Sequence, residues 1–265
     1  MQWWCSASAK AWTWAWVAYP GVWLLVLAFG ATYWRVTRRV PASGGERALG
    51  WLGVATIWVS LDWPIGPLAT GYLASMHAAQ FLLVAMVAPP LLLLGARRGI
   101  AAWWGALPTG SAWRPVVRLA TAPLLAAVAF NVVTIATHVP AVVDTLMVSQ
   151  AGAFAIDAGW LFGGILFWWP VCVDAPPRPR FGQAVKMLYL FVGTLFHSGI
   201  AIVMLMRDFP MYGVYELAPP MSGMSSIEDL KVAGGIMELA GLALVIGVIS
   251  VMFFRWSRSA EQGAT

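Results

Sequence analysis

The sequence predicts an all-α, polytopic bundle of seven transmembrane helices, and three observations predict it. Of its 265 residues, 60% are hydrophobic and only 10% are charged, where a soluble domain carries about 25% charged residues. The apolar residues run in continuous stretches near the twenty or so that a helix needs to cross a bilayer, not in the short alternating segments of a transmembrane barrel. The basic residues alternate between the two ends of those stretches. Disorder is excluded as well, because disordered chains are poor in apolar residues and rich in charge.

The seven spans read as about 12–34, 49–70, 74–95, 119–138, 151–171, 184–206 and 230–254, forming one integral membrane domain over residues 1–265. Pro64 and Pro67 break the second near its end. The first is not read as a cleavable signal: Lys10 alone precedes it, and it holds Pro20 and several Trp without a small-x-small cleavage site. Orientation follows from Lys and Arg. Arg35, Arg38, Arg39 and Arg47 follow span 1; Arg97, Arg98, Arg114 and Arg118 follow span 3; Arg178, Arg180 and Lys186 follow span 5; Arg255 and Arg258 follow span 7. Lys10, Arg207 and Lys231 fall on the other face. The N-terminus is therefore expected outside and the C-terminus in the cytoplasm. The Trp-bearing, Arg-bearing segment 96–118 is read as an amphipathic stretch in the inner interface. Gly159 and Gly163 form a GxxxG suited to close helix packing. The net charge of +5 follows the membrane topology, so no nucleic-acid partner is expected. Cys5 and Cys172 are expected on opposite sides, without a disulfide.

Ionisable groups inside a bilayer are costly, and each needs an account. On this topology His77, His138 and His197 all fall in the outer half of the bundle, with Asp62, Asp157, Asp229 and Glu238. Met76, Met147, Met204, Met206, Met211, Met221, Met224 and Met237, eight of twelve methionines, lie on or near the same side. Imidazole suits copper and zinc, and thioether sulfur selects Cu(I). A His/Met set without thiolates points to copper more than to structural zinc. The candidate metal ligands are thus His77, His138, His197, Met76 and Met237. Asp157, Asp62, Asp229 and Glu238 are the candidates for orienting a ligand from behind. Each has an ordinary reading beside it: a satisfied core histidine, methionine as packing, Asp62 as a helix cap ahead of metal work, Asp229 at a helix N-terminus. Nucleophilic catalysis has no support. Ser198 adjoins His197 in sequence but points about 100° away on a helix, and neither a GxSxG elbow nor an HExxH is present.

Several segments together resemble the CtaG family of cytochrome c oxidase assembly factors, multi-helix membrane proteins of bacteria. Leu61-Asp62-Trp63-Pro64, Met76-His77-Ala78-Ala79-Gln80 and Val87-Ala88-Pro89-Pro90-Leu91-Leu92-Leu93-Leu94-Gly95-Ala96 are similar to its most recognisable stretch. Thr137-His138-Val139-Pro140 matches a histidine–apolar–proline signature, Phe167-Trp168-Trp169-Pro170 an aromatic–proline helix end, and Asp229 with Ala233-Gly234-Gly235-Ile236-Met237 a last-helix motif. The chain also departs from the pattern. Phe81 stands where the family commonly has a second histidine on span 3, Asp157-Ala158 keeps the acid but not the histidine of a span-5 pair, Asp229-Leu230 replaces aspartate–glutamine, and Glu238 replaces an aromatic.

The resemblance implies a role in delivering or inserting copper during maturation of a haem–copper oxidase. The expectation is a non-enzymatic assembly factor of the bacterial inner membrane. It would bind Cu(I) at its periplasmic side and hand it to cytochrome c oxidase subunits or another copper-receiving protein. Two alternatives stay open: a copper or small-cation permease, which needs polar groups reaching the cytoplasmic face, and a metal-free scaffold for oxidase subunits, which the missing family histidines favour.

Overall fold

The structure, a computed structural model, describes residues 2–179, 181–221 and 223–263; Arg180, counted above among the basic residues, lies outside them. Among the described residues the chain is helical with no strand. Its helices are α1 (Pro20–Arg39), α2 (Gly44–Leu61), α3 (Ile65–Gly71), α4 (Ala74–Ala106), α5 (Trp113–Ala120), α6 (Pro123–Ala136), α7 (Pro140–Leu146), α8 (Gln150–Cys172), α9 (Gln183–Leu205), α10 (Gly213–Glu216) and α11 (Ser226–Glu261). Four of these, α4, α8, α9 and α11, are long and apolar enough to cross a membrane. The count is six if the bent pairs α2–α3 and α5–α6, angled by 48° and 64°, each form one span. The seven-span expectation counts α1 in addition, whose apolar run is cut short by Tyr33, Trp34 and Arg35.

Local sequence explains the boundaries. Proline opens α1, α6 and α7, where its missing N–H has no helical partner in any case. Ser43 with Glu46, and Ser225 with Glu228, form reciprocal capping boxes at α2 and α11. Span 1 starts later than expected: residues 12–19 are not helical, and the helix begins at Pro20. The N-terminal segment instead lies across the bundle end, with Trp4 and Cys5 buried. Its backbone bonds there: Ala7 N–H donates to Met147 O at 2.8 Å, and Trp3 N–H to Gln150 Oε1 at 2.6 Å.

Span 3 runs longer than expected, since α4 continues to Ala106 through Arg97 and Arg98. Both guanidinium groups meet the buried Glu46 carboxylate, Arg97 Nε at 2.7 Å and Arg98 Nε at 3.1 Å. Arg114, on the short amphipathic α5, lies over the Trp104 ring at 4.9 Å and donates to Leu107 O at 2.5 Å, closing the end of α4.

Pro89 and Pro90 sit inside α4, where proline cannot donate and crowds the carbonyl one turn earlier. The helix widens to a π turn over Leu82–Val87. The Ala85 carbonyl in that turn faces Gly164 of α8, where a Cβ would stand 2.3 Å from the oxygen. The closest α4–α8 approach therefore depends on Gly164. The GxxxG pair predicted above has a looser role: Cβ atoms at Gly159 and Gly163 would meet α6 at 3.4 and 3.7 Å, ordinary contact distances.

Gly164→Ala is accordingly expected to lower stability by about 1–3 kcal/mol, the usual cost of overpacking. Gly247→Ala, at a helical position with nothing within 4 Å of the new methyl, is expected to cost nothing. Thermal unfolding of the two variants in one detergent compares them directly.

Candidate functional site

At the end of the bundle opposite the Arg97–Arg98–Glu46 cluster, α4 begins in protein rather than in water. Its first amides are held by Asp229 of α11. The Asp229 carboxylate accepts from Ala74 N–H at 2.6 Å and Ser75 N–H at 3.3 Å, and also from the Ser75 hydroxyl. An acidic side chain from another helix thus does for α4 what a local N-cap normally does. His77 stands two residues beyond Ser75 and is buried. His138 follows the end of α6, where Pro140 opens α7, and it is equally buried.

The two imidazoles meet, with ring centroids 5.7 Å apart and planes at 67°. Trp160 of α8 packs on both, at 4.8 Å from His77 and 6.1 Å from His138. Its indole N–H donates to Thr137 Oγ1 at 2.8 Å, which fixes the ring. Phe81, one turn along α4 from His77, lies edge-on to His138 at 5.1 Å. Tyr215 covers His77 at 5.9 Å and donates to Ala69 O, while Tyr212 donates to the backbone carbonyl of His138 at 3.0 Å. Both tyrosines belong to the segment around α10, which Asp144 anchors by accepting from Gly213 and Val214 N–H.

His138 Nδ1 lies 2.7 Å from Thr134 O. A carbonyl only accepts, so Nδ1 carries the proton and Nε2 carries a free lone pair. Nε2 is buried without a partner, and the His77 nitrogens make no hydrogen bond of regular geometry, although the Ala69 carbonyl lies beside that ring. Buried polar atoms are ordinarily satisfied, so the pair is under-bonded for its setting.

His197, on α9, is also buried with both nitrogens unpartnered. It makes no ring contact with the other two among the described residues; it packs at Gly241, where a Cβ would stand 2.5 Å from Nε2. Glu238 has a buried, unpartnered Oε2 in the π turn Ile236–Ala240 of α11. Met237 is fully buried in the same turn. Met76 is half-buried on α4, about 100° around the helix from His77. Among the described residues no group of three or more His, Cys, Asp or Glu is placed to hold one ion. The structure thus brings the rings of His77 and His138 into contact, while His197 makes no ring contact with either among the described residues.

The aspartates proposed to orient imidazoles have other partners. Asp157 accepts from Trp4 Nε1 at 2.8 Å. Asp62 accepts from Trp23 Nε1 at 2.9 Å and Trp58 Nε1 at 2.7 Å. Asp229 holds the start of α4. Cys5 does not join the site: it is buried against Leu61 O at 3.4 Å, and burial pushes its thiol well above the usual range, away from the thiolate that binds metal. Sequence reasoning missed Trp160, Thr134, Tyr212 and Tyr215. The spacing of Tyr212 and Tyr215 in the one long loop between apolar stretches was the available signal. Nothing in the sequence distinguished Trp160 from sixteen other tryptophans.

This arrangement defines a helical membrane-protein class with a buried, aromatic-walled imidazole pair near one end of the bundle. The model of the family described as cytochrome c oxidase caa3 assembly factor matches residues 11–259, and the chain belongs to that family. Comparisons with curated proteins and with solved structures find no match.

Asp229→Asn is expected to weaken the cap on α4 by about 1–2 kcal/mol, since it removes a charge-assisted acceptor. Hydrogen exchange should quicken at the amides of Ala74 and Ser75 while the middle of α8 keeps its protection.

Proposed function

We propose that this protein serves cytochrome c oxidase assembly by holding Cu(I), as cargo, between His77 and His138 and passing it to an oxidase subunit or another copper-receiving protein. The observation that carries this reading is the buried contact of two imidazoles in which His138 Nε2 has no partner and His77 makes no hydrogen bond of regular geometry. Leaving such groups unsatisfied costs about 1–3 kcal/mol each, a cost with an evident use if a soft cation fills the gap. Imidazole suits copper. Zinc is less apt, because it favours four ligands and this pair supplies two. Nitrogens about 2 Å from a shared ion are compatible with rings as close as these. An incomplete coordination shell also leaves room for an incoming ligand during transfer.

The proposal includes the finer topology: seven crossings with α1 among them, the N-terminus outside, the C-terminus in the cytoplasm, and the imidazole pair facing the periplasm across a bacterial inner membrane. The distribution of arginine supports it. Delivery is favoured over permeation by what lies along the bundle from the pair. Phe81, Phe130, Phe167 and Tyr189 stack in sequence, at 6.5, 4.6 and 5.1 Å, a mostly apolar run leading towards the arginine end. A metal-free scaffold is the second reading. The observation that favours it is Phe81, an apolar ring against His138 where a third ligand would fit.

Purified protein is expected to bind one Cu(I) in competition with a chromogenic chelator. His77→Ala and His138→Ala should each weaken binding at least about tenfold, the lower end of what even supporting residues contribute. Phe81→His, on the same helix face as His77, should tighten it. Cells carrying either alanine variant should assemble less active oxidase. Absence of copper binding, with oxidase subunits still co-purifying and assembling with both variants, would leave the scaffold reading in its place.

A further inference from the structure

A cleft lies far from the histidines, at the arginine end, between α1, the second half of α4 and α8. Its volume is about 660 Å³, within the range of sites that enclose small molecules. Phe29, Leu92 and Ile165 line its deep end; Arg39 and Trp103 stand at its mouth. Ten residues of helix separate Phe29 from Arg39, about 15 Å at 1.5 Å per residue. That is half of the roughly 30 Å hydrocarbon core, or one leaflet.

The two helical walls are fixed to each other by a close approach within the cleft. Gly99 lets α1 meet α4 at Val36, where a Cβ would stand 2.1 Å from Val36 Cγ1. Polar groups nearby turn away from the cleft: Tyr33 donates its hydroxyl to Glu46 O at 3.0 Å. The charges at this end divide in the same way. Arg97 and Arg98 are engaged by Glu46, whereas among the described residues Arg39, like Arg35, Arg38 and Arg47, has no carboxylate within ion-pair distance, and of these arginines Arg39 lines the cleft. The cleft thus presents a leaflet-long apolar channel with one uncompensated cation where lipid headgroups sit.

We infer that this cleft binds an anionic phospholipid, with an acyl chain lying between α1 and α4 and the headgroup phosphate against Arg39. Guanidinium pairs with phosphate in a fixed, charge-assisted geometry. Basic sites between membrane helices recognise anionic headgroups on the same principle.

The test uses the full-length protein in detergent, with phosphatidylglycerol and phosphatidylcholine of identical chains as probes and native mass spectrometry as readout. Wild type should retain phosphatidylglycerol about fivefold better than phosphatidylcholine, the effect of one arginine near the surface. Arg39→Gln, at an exposed position, should bind both lipids equally. Ala96→Phe, which fills the cleft, should lose most of the bound lipid of either kind; unchanged helical circular dichroism would show that it folds. Equal retention of the two lipids by wild type would overturn the inference. So would a preference that survives Arg39→Gln, or co-purified complexes in which a partner's helix replaces lipid in the cleft.

Discussion

Carboxylates that are buried or half-buried organise the histidine end of this bundle, and each is turned to N–H donors. Asp229 of α11 caps α4, Asp157 of α8 holds the Trp4 indole of the N-terminal segment, Asp62 gathers two indoles from α1 and α2, and Asp144 fixes the segment around α10. In a bilayer no water can satisfy these groups, so they must find partners within the protein. Their pairing with amides and indoles has a chemical consequence. The imidazoles of His77 and His138 have no carboxylate partner of their own, and their lone pairs are left for something else.

The surroundings of the pair sharpen that consequence. Trp160 and Phe81 wall it with apolar rings, Tyr212 and Tyr215 cover it, and a run of stacked aromatics continues below. Such walls exclude water and raise the cost of unsatisfied nitrogens. The pair lies near one end of the bundle, beneath the Tyr212 and Tyr215 rings. At the opposite end the chemistry differs: Glu46 engages two arginines, and a greasy cleft ends at a third.

Much of this was legible in the sequence, and the remainder was not for identifiable reasons. Long apolar runs locate α4, α8, α9 and α11 because hydropathy in a bilayer is a strong, local constraint. Pro64 marks the α2–α3 bend, since proline beyond a helix's first turn removes a backbone donor and crowds the turn before it. The start of α1 was misjudged because Trp12, Trp14 and Trp16 look apolar whether they lie in a helix or along an interface. The end of α4 was misjudged because Arg97 and Arg98 read as loop charges; only the fold brings Glu46 beneath them. His77 and His138 were singled out by residue type. Their contact, the exclusion of His197 from it, and the partners of Asp157 and Asp229 depend on which helices are neighbours, which periodicity does not encode.

The proposed Cu(I) site between His77 and His138 has a direct readout in the copper K-edge X-ray absorption spectrum of the Cu(I)-loaded protein. Two imidazole nitrogens are expected at about 2 Å from the metal, with the multiple scattering that histidine rings produce. A spectrum showing sulfur ligands alone, or none of the imidazole signature, would contradict it.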